Sequence, residues 1–369
     1  MIRCAHQSLD NIPLEWAKVQ LKDVTQIHAG GKFKLTKINN YQSSGIPAYS
    51  ASGQDGYVSI REYSQTGVVL SAIGARCGKC FYAQGDWTTL ANTQVMFGNT
   101  DKYNNRFLWY VVNDERFWHR SGTAQPFIKP TDIQNAWVPC PSILEQQAIV
   151  QFLDTMSKPI QTHTTLKNAL NTLKKGLLQQ FFAGTLFSTN SRRMRMKEIA
   201  AIRMGKTIIS TSLSEHGIPV YSAETQNKPW GFIQNPKTRF PRGTIVLSAR
   251  GSIGFPRLPQ EDEFISTQTT IAIQPKEVLP RYLHLWLQTI DYKRLTSTQA
   301  VPMLTVGDMK EIFVRVPDRQ EQLRIISLFD VIDSKIHAHT QSILALKKLI
   351  KGYTKRLLYG ELRIPKQQS

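Results

Sequence analysis

Apolar residues near the end of the chain recur at alternating steps of four and three: Ile325, Phe329, Ile332, Ile336, Ile343, Leu346, Ile350, Tyr353 and Leu357, with His339 filling the remaining step. This is the spacing of a coiled-coil seam. It predicts a helix from Glu321 to Leu358, 38 residues, which at 1.5 Å per residue is about 57 Å long. An earlier stretch begins the same way, with Ile149, Leu153, Met156, Ile160 and His163. Lys167 and Lys174 then take seam positions while Leu166 and Leu173 stand beside them, so the seam is expected to shift in mid-helix. Pro159 lies inside this pattern and is expected to kink the helix or break its ladder locally. Ser142 with Glu145, and Asp318 with Glu321, have capping-box spacing and predict where the two helices start.

The two helices belong to a longer repetition. PSILEQQAIVQFLD from Pro141 returns as PDRQEQLRIISLFD from Pro317, and Glu321 minus Glu145 gives a period of 176 residues. Solenoid and propeller repeats run about 20 to 50 residues, so this is a duplicated domain. Upstream of each helix the pattern changes to short apolar or alternating runs bounded by Gly, Asn and Ser, which reads as strands. GIPAYSA from Gly45 matches GIPVYSA from Gly217, VLSAIGARCG from Val69 matches VLSARGSIG from Val246, and NTQVMF from Asn92 matches STQTTI from Ser266. The expected fold is α+β: two β-rich α/β domains, each followed by a long helix, with the two helices packed as an antiparallel coiled coil and the whole forming a pseudo-twofold repeat. The expected divisions are domain 1 over 1–141, helix 1 over 142–186, a linker over 187–195, domain 2 over 196–317, helix 2 over 318–362 and a tail over 363–369.

Charge says what such a pair of domains binds. Lys and Arg number 46 against 27 Asp and Glu, a net +19, which attracts polyanions. Nucleic acid fits best, because the sequence shows neither an apolar run of membrane-spanning length nor a signal-peptide core. A soluble, cytoplasmic protein is expected. Of Cys4, Cys77, Cys80 and Cys140, only Cys77 and Cys80 have metal-ligand spacing, and the other half lacks a second pair. A structural zinc usually takes four ligands, so reduced, partly buried thiols are expected and no metal.

A globular domain followed by a P-x-x-x-E-Q helix ending near G-x-L, all duplicated, resembles the specificity subunit of a Type I DNA restriction-modification enzyme. The matching residues are Pro141, Glu145, Gln146, Phe152, Leu153, Asp154, Gly184 and Leu186, then Pro317, Glu321, Gln322, Leu328, Phe329, Asp330, Gly360 and Leu362. The resemblance covers essentially the whole chain. It implies two target recognition domains reading the halves of a split DNA site, and helices that set their spacing and dock two methyltransferase subunits, with restriction subunits where present. The helix-motif residues implied in docking are Glu145, Gln146, Asp154, Glu321, Gln322 and Asp330. S-adenosylmethionine is expected on the partner methyltransferase, ATP and magnesium on a partner nuclease, and no cofactor on this chain. The domains differ in their loops, AETQNKPWGFIQ against ASGQDGYVSI, which points to an asymmetric target.

Candidate DNA contacts cluster on turns. Lys32, Lys34 and Lys37 alternate with apolar residues in GGKFKLTK, Arg76 and Lys79 lie in GARCGKC, and Lys206, Arg250 and Ser252 lie on the related turns of the second half. Phosphates take half to two-thirds of protein–DNA hydrogen bonds, and Arg can grip guanine through two bonds. Gln94 and Gln268 recur in N-T-Q and S-T-Q, where an amide could read adenine or sit satisfied in the core. Tyr49 and Tyr221 in the repeated I-P-x-Y-S-A face the same choice between base contact and packing. His163 and His339 share a repeat position and are expected to pack in the seam. AAIRMGKT falls short of a phosphate-binding loop because Ala200 stands where glycine is required. With no adenine-methylation motif or cofactor fingerprint, the chain reads as a targeting subunit without chemistry of its own. A free-standing sequence-specific DNA binder is the alternative, and an enzyme with a cryptic site the third reading.

Overall fold

The computed structural model describes residues 9–183, 191–224, 228–295 and 302–364. Cys4, Gly184 and Leu186 lie outside the described residues. The chain divides into two compact units, Met1–Thr162 with Ser342–Ser369, and His163–Gln341. Four helices organise them: α1 (Asn105–Val112), α2 (Ile143–Ala183), α3 (Pro280–Leu287) and α4 (Arg319–Leu358).

The duplication seen in the sequence is also a duplication of topology. In the first unit a four-stranded sheet runs in the order Thr25–Ala29, Thr93–Gly98, Gly67–Ser71, Cys80–Ala83. In the second the order is Ala200–Met204, Thr270–Pro275, Ile245–Ser248, Pro256–Arg257, the same path through the repeat. A smaller sheet joins each, with Ile46–Ser50 paired in parallel to Thr88–Thr89, and Ile218–Tyr221 in parallel to Glu263–Ser266. The strands entering and leaving each domain also pair, Ala17–Gln20 with Trp137–Cys140 and Arg192–Arg195 with Phe313–Val316. Each domain therefore closes before its long helix begins.

One buried side chain fastens each helix to its domain. Gln146 is 0% exposed; its Oε1 accepts from the Asn104 amide at 2.8 Å, and its Nε2 donates to the carbonyls of Lys102 and Pro141, both at 2.9 Å. Gln322 repeats the arrangement, accepting from the Leu279 amide at 2.9 Å and donating to the Pro317 carbonyl at 3.0 Å. Asn104 and Leu279 are the N-cap residues of α1 and α3. The orphan amide at each cap thus finds its acceptor on the root of the long helix. One turn or two further along, Asp154 accepts from Arg106 Nη2 at 2.8 Å and Tyr110 at 2.6 Å, and Asp330 accepts from Arg281 Nε at 2.8 Å. Arg106 and Arg281 sit at matching places on α1 and α3.

The starting turns depart from full capping boxes. Ser142 Oγ accepts from the Glu145 amide at 3.3 Å and Asp318 Oδ1 from the Glu321 amide at 2.8 Å, as expected. The reciprocal arm is not made, because Glu145 accepts from the Trp16 indole at 3.0 Å and Arg363 Nε at 2.7 Å, while Glu321 lies 3.5 Å from Arg324.

The seam of α4 falls on the predicted residues. Ile325, Phe329, Ile332, Ile343 and Leu357 are buried and the other seam positions half-buried. In the first unit Ile149 and Leu153, near the start of α2, share a core with Leu357 and Leu358, at the end of α4. In the second unit Leu178 packs with Ile325, Phe329 and Ile332. The helices run antiparallel in each. The seam does not shift in mid-helix: Lys167 and Lys174 stay on it, half-buried, while Leu166 and Leu173 remain 45% and 51% exposed. Lys174 can hold a seam position because its Nζ lies 2.6 Å from Asp333 Oδ1. Pro159 lies within an uninterrupted α2. His163 and His339 meet with Nδ1 atoms 2.8 Å apart, a bond that requires one ring to donate and the other to accept.

Arg281 also binds Asp333, and its Nη1 donates to His284 Nδ1 at 2.9 Å, while His284 Nε2 donates to the Pro256 carbonyl at 3.3 Å. Burial, and then the neighbouring Arg281 charge, push the His284 pKa down to about 4. The ring is neutral in the fold and takes its proton on unfolding, so the unfolded chain binds more protons between about pH 6.5 and 4. Stability is therefore expected to fall by about 2 kcal/mol from pH 7 to pH 5 through this group. Urea unfolding at the two pH values checks this, and His284→Gln should flatten that difference.

Candidate nucleic-acid interface

The candidate residues of the second domain gather where strand ends meet. Gly205 lies so close to the facing chain that a Cβ would sit 2.2 Å from the carbonyl oxygens of both Ser266 and Thr267. That approach lets the Lys206 amide donate to the Ser266 carbonyl at 2.8 Å, with the Lys206 side chain exposed. Gln268 Oε1 accepts from the Ile208 amide at 3.1 Å, tying the same two turns together. Thr269 links two more: its hydroxyl accepts from the Ala223 amide at 3.2 Å and its carbonyl from the Ala249 amide at 2.9 Å. Arg250 and Ser252 follow on an exposed turn with Gly251 at φ +68°, and Arg250 Nε lies 3.0 Å from Met303 Sδ. Lys206, Gln268, Arg250 and Ser252 therefore share one rim.

The first domain builds a related rim. Gly30 and Gly31 donate to the Thr93 carbonyl at 3.0 Å and Thr89 Oγ1 at 3.1 Å, and carry Lys32 and Lys34 on an exposed turn. Lys34 has φ +51°, so the three lysines do not lie along a strand. Arg76 Nη1 donates to the Ser52 carbonyl at 2.9 Å, which brings the GARCGKC turn to the Ser50–Gly53 turn.

Ion pairing separates the cations. Lys37 is held by Asp55, whose carboxyl also accepts from Tyr41 and from Ser50 at 2.7 Å; burial would raise this carboxyl, but those bonds outweigh it and hold it below the ordinary range. Lys79 lies 3.7 Å from Glu115. Among the described residues Lys32, Lys34, Arg76, Lys206 and Arg250 have no carboxylate at salt-bridge distance.

The aromatic and amide candidates are placed inward. Tyr221 is 3% exposed and donates to Glu261 at 2.9 Å; burial and this carboxylate raise its pKa. Tyr49 is half-buried against Trp87, its hydroxyl 3.4 Å from the Tyr82 carbonyl. Gln94 is half-buried within its strand, in register with Leu70 and Ala29. Cys77 and Cys80 are 1% and 3% exposed, and donate to the carbonyls of Ala72 and Val112. Burial raises both thiols, and no cluster of three or more metal-ligating side chains occurs among the described residues. The helix-motif residues Gln146, Gln322, Asp154 and Asp330 are engaged within the chain, each with its own domain. Sequence reasoning missed Arg106 and Arg281, although both recur at the start of a helix in R-x-L.

The domains differ beneath their rims. Arg257 occupies the strand position that Phe81 holds in the first domain, opposite Val246 and Val69. It is 2% exposed, stacks 5.3 Å from the Tyr221 ring and donates to the Ser222 carbonyl. Burial lowers its pKa.

Two small domains of one topology, each rooted on its own long helix and each with exposed cations on a rim, define a duplicated-domain protein with two candidate polyanion surfaces. The chain belongs to the family described as the Type I restriction modification DNA specificity domain, whose profile matches residues 13–172 and 190–348. It is the DNA-recognition subunit of a Type I restriction-modification complex and a non-catalytic targeting subunit. It is 23% identical, over 94% of both chains, to the protein named as type I restriction enzyme specificity subunit S.HindORF215P of Haemophilus influenzae. It is 20% identical to the type I restriction enzyme MjaVIII specificity subunit of Methanocaldococcus jannaschii, over 82% of this chain and 80% of that one. Its fold resembles the Type-I restriction-modification S subunit from M. genitalium, with a TM-score of 0.66 and 19% identity over 95% of this chain and 97% of that chain. A chain from a structural study of type I R-M complex assembly and conformational transition gives 0.58 and 17% identity over 95% and 100%.

The Gly205 contact gives a direct test of the rim's construction. Gly205→Ala is expected to destabilise the protein by about 2 kcal/mol or more, because backbone must move. Gly251→Ala, with open space around it but a left-handed φ, should cost only about 1 kcal/mol. Urea denaturation of the two variants compares them.

Proposed function

We propose that this chain directs adenine methylation to a split, asymmetric DNA sequence, with target recognition domains 1–141 and 196–317 each reading one half-site. The observation that carries this is the pair of rims, alike in topology and unlike in side chains. Lys32, Lys34, Lys206 and Ser252 serve phosphates and Arg76 and Arg250 are the candidates for base edges, whereas Gln94 lies half-buried within its strand and Gln268 spends its carbonyl on the Ile208 amide. Lys37 and Lys79 are exposed but ion-paired with Asp55 and Glu115, while Tyr49 and Tyr221 support the rims from within. Segments 142–186 and 318–362 act as spacer helices; α2 and α4, 41 and 40 residues of continuous helix, are each about 60 Å long and set the distance between half-sites. Residues 187–195 are the proposed linker, although its last four, Arg192–Arg195, pair with Phe313–Val316 in the second domain, and 363–369 the proposed tail; 187–190 and 365–369 lie outside the described residues. The complex works in the cytoplasm. No described helix is long and apolar enough to cross a membrane.

Two methyltransferase subunits dock on the helices. The residues just before the seam positions form a second stripe on each helix, and in an antiparallel pair these flanks border one another. In the first unit the stripe includes Phe152, Thr155 and Pro159 of α2 with Ser342, Ala345 and Leu349 of α4. In the second it includes Leu166, Ala169 and Leu173 of α2 with Leu328, Val331 and Ala338 of α4. Phe152 and Leu328 are 176 apart, as are Leu173 and Leu349, and all four are 38–51% exposed. Each unit thus carries one copy of each residue, which suits two equivalent partners. Restriction subunits join such a complex where the system has them.

Expression of the chain with its methyltransferase subunits in a methylation-free host, followed by single-molecule sequencing, should give a split, asymmetric adenine motif. A palindromic or continuous motif would contradict the reading. Leu173→Asp and Leu349→Asp are each expected to weaken one methyltransferase contact by about 2 kcal/mol, and together to leave the specificity subunit unpartnered in native mass spectrometry.

A further inference from the structure

We propose that the last three turns of α4, Lys347 to Arg356, form a separate, sequence-independent surface for DNA phosphates. The inference rests on the DNA-recognition reading and adds a contact outside the two reading domains. Lys347, Lys348, Lys351, Lys355 and Arg356 are all exposed, and from Ser334 to Gly360 the chain contains no Asp or Glu. None of the five has a carboxylate at salt-bridge distance among the described residues.

Three ordinary explanations fail on position. The helix dipole favours cations only within the final turn, which accounts for Lys355 and Arg356 but not for Lys347 and Lys348, ten or eleven residues before Leu358. A solubilising face normally mixes signs. Here Lys347 with Lys351, Lys351 with Lys355, and Lys348 with Lys351 are like-charge neighbours on the helix, each unfavourable by roughly 0.2–0.5 kcal/mol. Nor does the fold call for them. The counterparts 176 residues earlier on α2 are Asn171, Thr172, Lys175, Gln179 and Gln180, and that helix forms equally well with one cation.

Glu361 follows the helix directly, and other acids of the same unit are held elsewhere. Asp154 is bound by Arg106 and Tyr110, and Glu145 by Trp16 and Arg363. Asp114 is clasped by Arg116 Nη2 at 2.6 Å, and the Lys351 charge adds only a longer-range pull on its already lowered carboxyl. The repulsion along α4 is relieved by an external polyanion. The duplex that this subunit recognises is one, and phosphate neutralisation releases counterions whatever the sequence.

The test uses the assembled complex with its methyltransferase subunits, a random-sequence duplex and a duplex carrying the methylated site, titrated over a range of salt. K347Q/K348Q/K351Q/K355Q, which spares Arg356 on the stripe of Leu349, should flatten the log K against log salt slope on the random duplex by roughly 0.9 for each phosphate no longer neutralised, leaving the ratio between the two duplexes unchanged. Replacing the four lysines by arginine should keep the native slope. An unchanged slope in the glutamine variant overturns the proposal. If that variant instead sheds methyltransferase subunits as salt rises, the surface docks an acidic protein face and the proposal is likewise wrong. A native complex that binds neither duplex would overturn the DNA-recognition reading itself.

Discussion

Everything in this chain hangs from a buried glutamine at the root of each long helix. Gln146 and Gln322 accept the free amide at the N-cap of α1 or α3 and return a donor to the proline carbonyl where the helix begins. Leaving such a buried backbone group unpaired would cost about 1–3 kcal/mol. The contact thus fixes the angle at which a reading domain meets its helix, not merely that the two touch. Asp154 with Arg106 and Asp330 with Arg281 add a second point of attachment, and two points remove rotation about the first. A reader that must present side chains to base edges needs that rigidity.

The helices in turn need a seam that tolerates polar residues. Lys174 remains on it because Asp333 supplies a charge, and Asp333 is available because Arg281 already holds it against α3. The ion cluster joins α2, α4 and the second domain in one network. Keeping the lysines on the seam leaves Leu166 and Leu173 on the outside of α2.

Much of this was legible in the sequence because it is written twice. Strands, helix starts and the α4 seam follow from periodicity, and the family from the order of Pro, Glu, Gln and Asp. What the pattern concealed was direction. Gln146 and Asp154 sit in a repeated helical motif that reads equally well as a docking face, and only the position of Asn104 and Arg106, some 42–48 residues away in the chain, shows that they point into their own domain. The Leu166 and Leu173 pair misled for a similar reason: leucine beside lysine suggests a seam shift unless Asp333 is known to be opposite. On the rims, glycine spacing exposed Lys206 and Arg250, but ion pairing decided between Lys32 and Lys37. That depends on Asp55, a residue of another turn.

The most direct test of this account is the methylation pattern written by a complex carrying Gln322→Leu. Loss of the second domain's root contact is predicted to relax base selection in one half-site only, with the other half-site and the spacing preserved, as mapped by single-molecule sequencing. Equal relaxation of both half-sites, or a pattern identical to that of the native complex, would contradict the claim that each glutamine orients its own domain.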